Sequence, residues 1–415
     1  MTTPDRSEII DVEDEELVQA PYPGYSRIRE RMPRLAPTHL KSVGRIWMVA
    51  RYADVAALYT DPRFVANPLN VPGAPMRHLS EEVFRIGETP EEYMTHRVDR
   101  MGQHDGAAHA RLRRLVGPAF AIRPMERLRP RIERLAEELL DRLPEAAEDD
   151  GTVDLLRHYA LQLPNSVLCE LIGIPETHRA AWLKWTTEIK WPSLPLDARA
   201  ERWRAMTGLA RELIAQRRAA PAEDLISSLL AAGGPDGELT DTEIVTMMLL
   251  DHNAHRSIGH LIANGTAALL AHPDQLRLLI EDPGLMPQAI EELLRYCGPT
   301  TVGRLRHATQ TMAFAGGTVR KGEVIWAAIA GANWDPRRFT DPSRLDVSAP
   351  RPSHIAFGGG PHHCSGPALA RLAAEVAIAA LLRRHPGLTL GVDPSDLRVE
   401  HKPRQMGLLT LPIRL

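Results

Sequence analysis

The stretch Phe357-Gly358-Gly359-Gly360-Pro361-His362-His363-Cys364-Ser365-Gly366 constrains this chain more than any other. Consecutive glycines let a backbone turn sharply and lie close against a flat body. The alanine- and leucine-rich run that follows has helical spacing and predicts a helix over Pro367–Arg384. Cys364 then sits just ahead of a helix N-terminus, where unpaired N–H groups and the dipole favour a thiolate. A thiolate in that setting is a nucleophile or a metal ligand.

The rest of the composition sets the context. The chain has 415 residues, 44% of them hydrophobic, enough for a large core and one or two domains. A formal charge of −3 gives no reason to expect nucleic acid or an anionic membrane as partner. Cys169, Cys297 and Cys364 are the only cysteines, far apart and without a CxxC pair. That argues against a disulfide framework and for a reducing compartment, with Cys169 and Cys297 expected as buried small residues. The first residues contain no apolar run, so a cytoplasmic protein without leader or anchor is expected.

Residues 1–20 are acidic and aperiodic, which predicts a flexible tail, with 21–415 forming one domain. A strand is expected at 46–49 and a helix at 52–59. The span 65–105, with an amphipathic stretch over 79–101, is long for a connection and is expected to be functional. Helices are predicted over 107–119, 124–143, 155–172, 175–190 and 198–217. Four of the seven tryptophans fall between Trp182 and Trp203; core packing is the expected role, with an aromatic lid as the rival. Thr240 and Glu243 form a capping-box pattern opening an apolar helix that runs to Ala271. A helix at 287–296, strands at 312–315 and 324–329, a coil over 333–354 and a strand near 408–411 complete a chain that is mainly α with a small β portion.

Zinc suits His362, His363 and Cys364 poorly, because three adjacent residues cannot all point at one tetrahedral ion. A cysteine nucleophile needs a distant histidine base and an oxyanion hole, and three glycines before a lone thiolate are not its pattern. A flat cofactor with one axial thiolate fits better, and haem is such a cofactor. Phe357-x-x-Gly360-x-His362-x-Cys364-x-Gly366 resembles the haem-ligand signature of the bacterial, class I cytochrome P450 family. Glu292-Leu293-Leu294-Arg295 is similar to that family's ExxR pair, whose members share a helix face. The run from Asn333 to Phe339 is similar to its meander.

The resemblance, over roughly the whole chain, implies the P450 fold, with haem b between a long distal helix and the cysteine loop. It implies Cys364 as iron ligand, and Glu292, Arg295 and Arg351 as braces of that loop. His109 and Arg113, at i and i+4, are similar to the HxxxR pair that meets the haem propionates. Arg306, His362 and His354 are further propionate partners by the same resemblance. Ferredoxin and ferredoxin reductase are the implied electron donors. Arg111 and Arg114 are expected on a solvated face, where they would help form a basic surface for an acidic ferredoxin.

On the distal helix the chain leaves the family pattern. The oxygen-activation motif falls at Asn253-Ala254-His255-Arg256-Ser257-Ile258, with Arg256 and Ser257 where the family has an acid and a threonine. Ser257 can hold a water, whereas the Arg256 guanidinium releases no proton near neutrality. Asn253, Ala254, Ser257 and Leu261 share the expected haem-facing stripe. His255 lies about 200° around the helix from Ser257, facing away, and Asp251 is its i, i+4 neighbour. Three reactions stay open: hydroxylation of a sizeable secondary-metabolite-type substrate through a water-borne relay, oxidative cross-linking of aromatic or peptide groups, and a peroxide-driven reaction with Arg256 binding a substrate carboxylate. The bland alternative has Arg256 pointing into bulk water. A non-catalytic haem sensor or electron carrier is the alternative outside enzymes.

Overall fold

Most of the predicted helical periodicity is realised in the computed structural model, which describes residues 9–41, 43–73, 90–98, 100–188, 194–233, 237–251, 254–400 and 404–415. At the centre lies the helix Ala254–Leu270, preceded by Asp241–Asp251; residues 252–253 lie outside the described residues. Ala254–Leu270 is buried almost all round, as its apolar composition requires. It packs against Gln162–Ile172, Met286–Cys297 and Pro367–Arg384. The capping box forms as predicted: Glu243 N–H donates to Thr240 Oγ1 at 3.2 Å and Thr240 N–H to Glu243 Oε2 at 2.8 Å.

A six-stranded sheet flanks this helical body, in the order Ile10–Asp11, Ala36–Leu40, Gly44–Val49, Val324–Ala327, Arg306–Ala308, Phe64–Val65. Arg306 pairs with Ile325 in an antiparallel register, which fixes its side chain against the body. Gly44–Val49 runs parallel to Val324–Ala327 and antiparallel to Ala36–Leu40.

Several boundaries differ from expectation. The acidic tail is folded from Ile10 onward: Ile10–Asp11 pairs with the sheet, and Glu15–Gln19 is a helix capped by Asp14. Leu17 and Val18 are buried there, and that apolar pair outweighs the crowd of acids around it. The predicted helix over 124–143 is two, Ile122–Glu126 and Arg129–Arg142. The last strand is Pro412–Arg414, because its partners, Thr389–Leu390 and Val153–Asp154, set the register from far away in sequence. Helices Leu225–Leu230 and Pro273–Glu281 carried too little periodic signal to be predicted, although Pro273 is a favourable first residue. Of the 79–101 stretch, residues 79–89 and 99 lie outside the described residues, and the rest includes two short helical segments, Glu91–Tyr93 and Thr95–Val98.

Trp182 and Trp203 are buried and Trp185 packs on the same core, as core packing requires; Trp191 lies outside the described residues. Trp203 stacks on Tyr93, ring centroids 5.8 Å apart and 12° from parallel.

Candidate active site

The cysteine loop closes on itself: Cys364 N–H donates to Phe357 O at 3.0 Å. Gly358 and Gly360 have φ of 73° and 62°, a region open to glycine at little cost. A Cβ on Gly360 would lie 2.0 Å from Tyr59 O, in the helix Tyr52–Thr60. The third glycine is therefore required by that helix backbone, a reason the sequence does not reveal. Gly366 is the N-cap of Pro367–Arg384, and its carbonyl accepts from Ala370 N–H at 3.1 Å. Phe357 lies under the Arg371 guanidinium at 4.8 Å, and Arg371 pairs with Glu291 at 2.5 Å. Cys364 is exposed, whereas burial pushes the Cys169 and Cys297 thiols up to about 12. Of the three cysteines, Cys364 is the one open to a ligand.

Behind the loop, Arg295 and Glu292 form a buried bidentate pair with both contacts at 2.7 Å. Arg295 also donates to Asn333 O at 3.2 Å and Pro342 O at 2.6 Å, and Arg351 reaches Glu292 at 3.4 Å. The predicted brace of Glu292, Arg295 and Arg351 is thus assembled around the coil that leads to Cys364.

Toward the sheet, the expected propionate partners divide. Arg306 is buried, and its Nη1 has no hydrogen-bond partner. Arg113 is half-buried and, among the described residues, unpaired. His109 is buried beside it; burial, then the His362 and Arg113 charges, hold its pKa down at about 4. His362 lies in the same cluster: its Nε2 is 3.3 Å from Asp105 Oδ1 and its ring stacks on His109 at 4.1 Å. Burial raises the Asp105 carboxyl, but hydrogen bonds from His362 and from Ala66 and Asn67 N–H outweigh it and the net shift is down. His354 Nε2 lies 3.3 Å from Glu291 Oε2. Of the pair expected on a solvated face, Arg114 is exposed and Arg111 is half-buried. Arg111 donates to Glu243 Oε1 at 2.7 Å and Glu238 O at 2.5 Å, tying its helix to the start of Asp241–Asp251.

On the distal side, Arg256 Nη2 donates to both Glu400 oxygens, at 2.7 and 2.8 Å. Arg256 therefore does not point into bulk water. Ser257 Oγ accepts from Gln405 Nε2 at 3.3 Å, and Asn264 Nδ2 donates to Met406 O at 2.9 Å. The C-terminal hairpin, bridged at Val399 and Leu408, is in this way fastened along one side of Ala254–Leu270. Asn253 and the Asp251 side chain lie outside the described residues, and with them the predicted Asp251–His255 pairing. His255 is buried.

Asp105, Tyr59, Glu400 and Gln405 were missed from the sequence. Asp105, immediately before a glycine and a helix, carried the one usable signal, that of a helix start.

Among the described residues no group of three or more His, Cys, Asp or Glu is placed to hold a bare metal ion. An exposed cysteine at a glycine loop, a buried guanidinium with an orphaned N–H, and an arginine near His109 that is unpaired among the described residues fit a flat, dicarboxylate cofactor with one axial thiolate. Those features define a haem-thiolate oxidoreductase. The family model for cytochrome P450 matches residues 280–412. Cytochrome P450 107B1 of Saccharopolyspora erythraea is 36% identical over 408 residues, 97% of this chain and 96% of that protein. Vitamin D(3) 25-hydroxylase of Pseudonocardia autotrophica is 36% identical, covering 96% of this chain and 94% of its own. The solved structure of the cytochrome P450 PksS of the Bacillus subtilis bacillaene polyketide synthase superposes with a TM-score of 0.86 at 31% identity, over 97% of this chain and 99% of that one. The chain belongs to the cytochrome P450 family and is a monooxygenase-type oxidoreductase that carries haem on a cysteine thiolate. No helix among the described residues is long and apolar enough to cross a membrane.

Proposed function

We propose that this enzyme hydroxylates a sizeable, largely apolar secondary-metabolite-type substrate, taking electrons from a ferredoxin and its reductase. The observation that carries the reading is the hydrogen-bonded seam of Ser257, Gln405, Arg256 and Glu400 along the distal helix. Haem would be held by Cys364, with Arg306, Arg113 and His109 available to its propionates, and would supply oxygen activation, which thiolate donation favours. Ser257 Oγ, oriented by the Gln405 amide, holds a water and passes a proton inward. Glu400 is the carboxylate that Arg256 holds at the same turn, half-buried and in reach of solvent, and it replaces the acid missing from the helix. The Arg256 guanidinium is engaged by Glu400 through Nη2, which counts against its binding a substrate carboxylate in a peroxide-driven reaction. Cross-linking loses its aromatic support, since Trp182 and Trp203 are core residues. A relative named as a 25-hydroxylase and a structural neighbour from a polyketide synthase support the reaction and the substrate size.

The test starts from a ligand selected by its haem spin-state shift among bulky polyketide- and sterol-type compounds, turned over with ferredoxin and reductase. The expected product is heavier by one oxygen. Ser257→Ala and Glu400→Gln should each raise several-fold the share of electrons released as peroxide. A product lighter by two hydrogens means coupling, and unchanged peroxide release in both variants removes the relay.

A further inference from the structure

The N-terminal segment reaches the distal seam through one side chain. Val399 and Leu408 form an antiparallel bridge, flanked by Glu400 N–H donating to Gly407 O at 2.7 Å and Leu409 N–H donating to Arg398 O at 2.8 Å. In such a pair the ladder bonds belong to the neighbouring residues, so the N–H and C=O of Val399 face the outer edge of its arm. Gln19 meets both: its Nε2 donates to Val399 O at 3.0 Å, and Val399 N–H donates to its Oε1 at 3.0 Å. Val399 is buried, and buried backbone groups need partners. The Gln19 amide supplies them, standing in for one residue of a strand on the free edge of the arm.

Gln19 is itself held in place. It ends the helix Glu15–Gln19, whose N-cap Asp14 accepts from Leu17 N–H at 3.1 Å. Leu17 and Val18 are buried, and Leu17 lies so close to Gly24 that a Cβ there would be 2.5 Å from Leu17 Cδ1. In the next helix, Pro21–Arg31, Tyr22 Oη donates to Gly298 O at 3.0 Å, which ties the segment to the end of Met286–Cys297.

Glu400 follows Val399 directly. Its ion pair with Arg256 is half-buried and in reach of solvent, where such pairs contribute little. A two-stranded hairpin is marginal by itself. Two more hydrogen bonds of ordinary net worth favour the seated arm about thirtyfold over a released one.

We infer that Gln19 is a positioning residue for proton delivery: its amide clamps the Val399 backbone and so sets the Glu400 carboxylate against the distal helix at Arg256. This rests on Glu400 being the relay carboxylate and deepens that reading, since it makes the N-terminal helix the outer support of the relay.

The experiment uses the haem-loaded full chain as wild type, Gln19→Met, Glu400→Gln and the double variant. Methionine keeps the length of the side chain and removes the amide. Backbone deuterium exchange is read at Val399. The share of electrons released as peroxide is read in air without substrate, with a plant-type ferredoxin, its reductase and NADPH as donors. Gln19→Met should speed exchange at Val399 about tenfold or more and raise the peroxide share several-fold, with haem content and the ferrous–carbonyl band as in wild type. Added to Glu400→Gln, it should raise the share no further, because a residue acting only through Glu400 has nothing left to position. A further rise in the double variant is the mark of general destabilisation and overturns the inference. Wild-type exchange in Gln19→Met, faster exchange with a wild-type peroxide share, or loss of haem also overturns it. If Glu400→Gln alone releases peroxide as wild type does, the relay reading fails and the inference falls with it. The two failures are distinct, because Glu400→Gln leaves the Gln19 clamp intact.

Discussion

At Gly360 two constraints act on one atom: a left-handed backbone, φ 62°, and the Tyr59 carbonyl 2.0 Å from where a Cβ would stand. Gly358 has the first constraint alone, φ 73° with nothing within 4 Å. Gly358→Ala should therefore cost only the conformational term, about 1 kcal/mol. Gly360→Ala must displace the helix Tyr52–Thr60 or the cysteine loop and should cost upward of about 3 kcal/mol. Thermal melts of the two variants, read beside their haem content, check the contrast; equal losses would mean that Tyr59 is not the constraint. The sequence showed that glycines are needed in this loop, but not what they approach. That partner lies some three hundred residues away, and nothing local to the triplet encodes it.

At the scale of elements, the helix Met286–Cys297 is joined to the coil before Cys364 by one buried ion pair and its carbonyl contacts. Glu292 and Arg295 are both 1% exposed, so removing one leaves the other charged and unsatisfied. Glu292→Ala should cost about 3–5 kcal/mol, measured by urea unfolding of the haem-loaded protein. A loss below about 1 kcal/mol would show that the pair does not brace the loop. This pair was legible in the sequence because its members are three residues apart on one helix face. Arg256 and Glu400 are 144 residues apart, and Asp105 and His362 are 257 apart; no periodicity reports such pairings. The motif resemblance that assigns His362 and His354 to propionates likewise gives no sign that the fold sets one beside Asp105 and the other beside Glu291.

Over the whole molecule, burial leaves titratable groups that tie stability to pH. His307, in the strand Arg306–Ala308, is held down at about 4 from an ordinary 6.5, by desolvation first, with Arg306 adding to it and Asp105 opposing it. A folded-state value below the unfolded one means the unfolded chain binds more protons between the two. Stability should then be full above about pH 6.5 and fall as pH drops toward about 4. The His307 contribution is on the order of 3 kcal/mol. His307→Gln should flatten the fall of melting temperature across that window, and an unchanged slope would contradict it. The overall architecture was largely legible, since helix periodicity and the cysteine, ExxR and HxxxR motifs are local. The sheet order, the folded N-terminus and the seam along the distal helix were not, because each is decided by which distant segments bury one another's apolar faces.

The most direct test of the central claim is the absorption spectrum of the reduced, carbon monoxide-bound protein, in wild type and in Cys364→Ala. Wild type should show the red-shifted band of a thiolate-ligated haem, and Cys364→Ala should lose it. A wild-type spectrum without that band, or a Cys364→Ala protein that keeps it, would contradict Cys364 as the iron ligand.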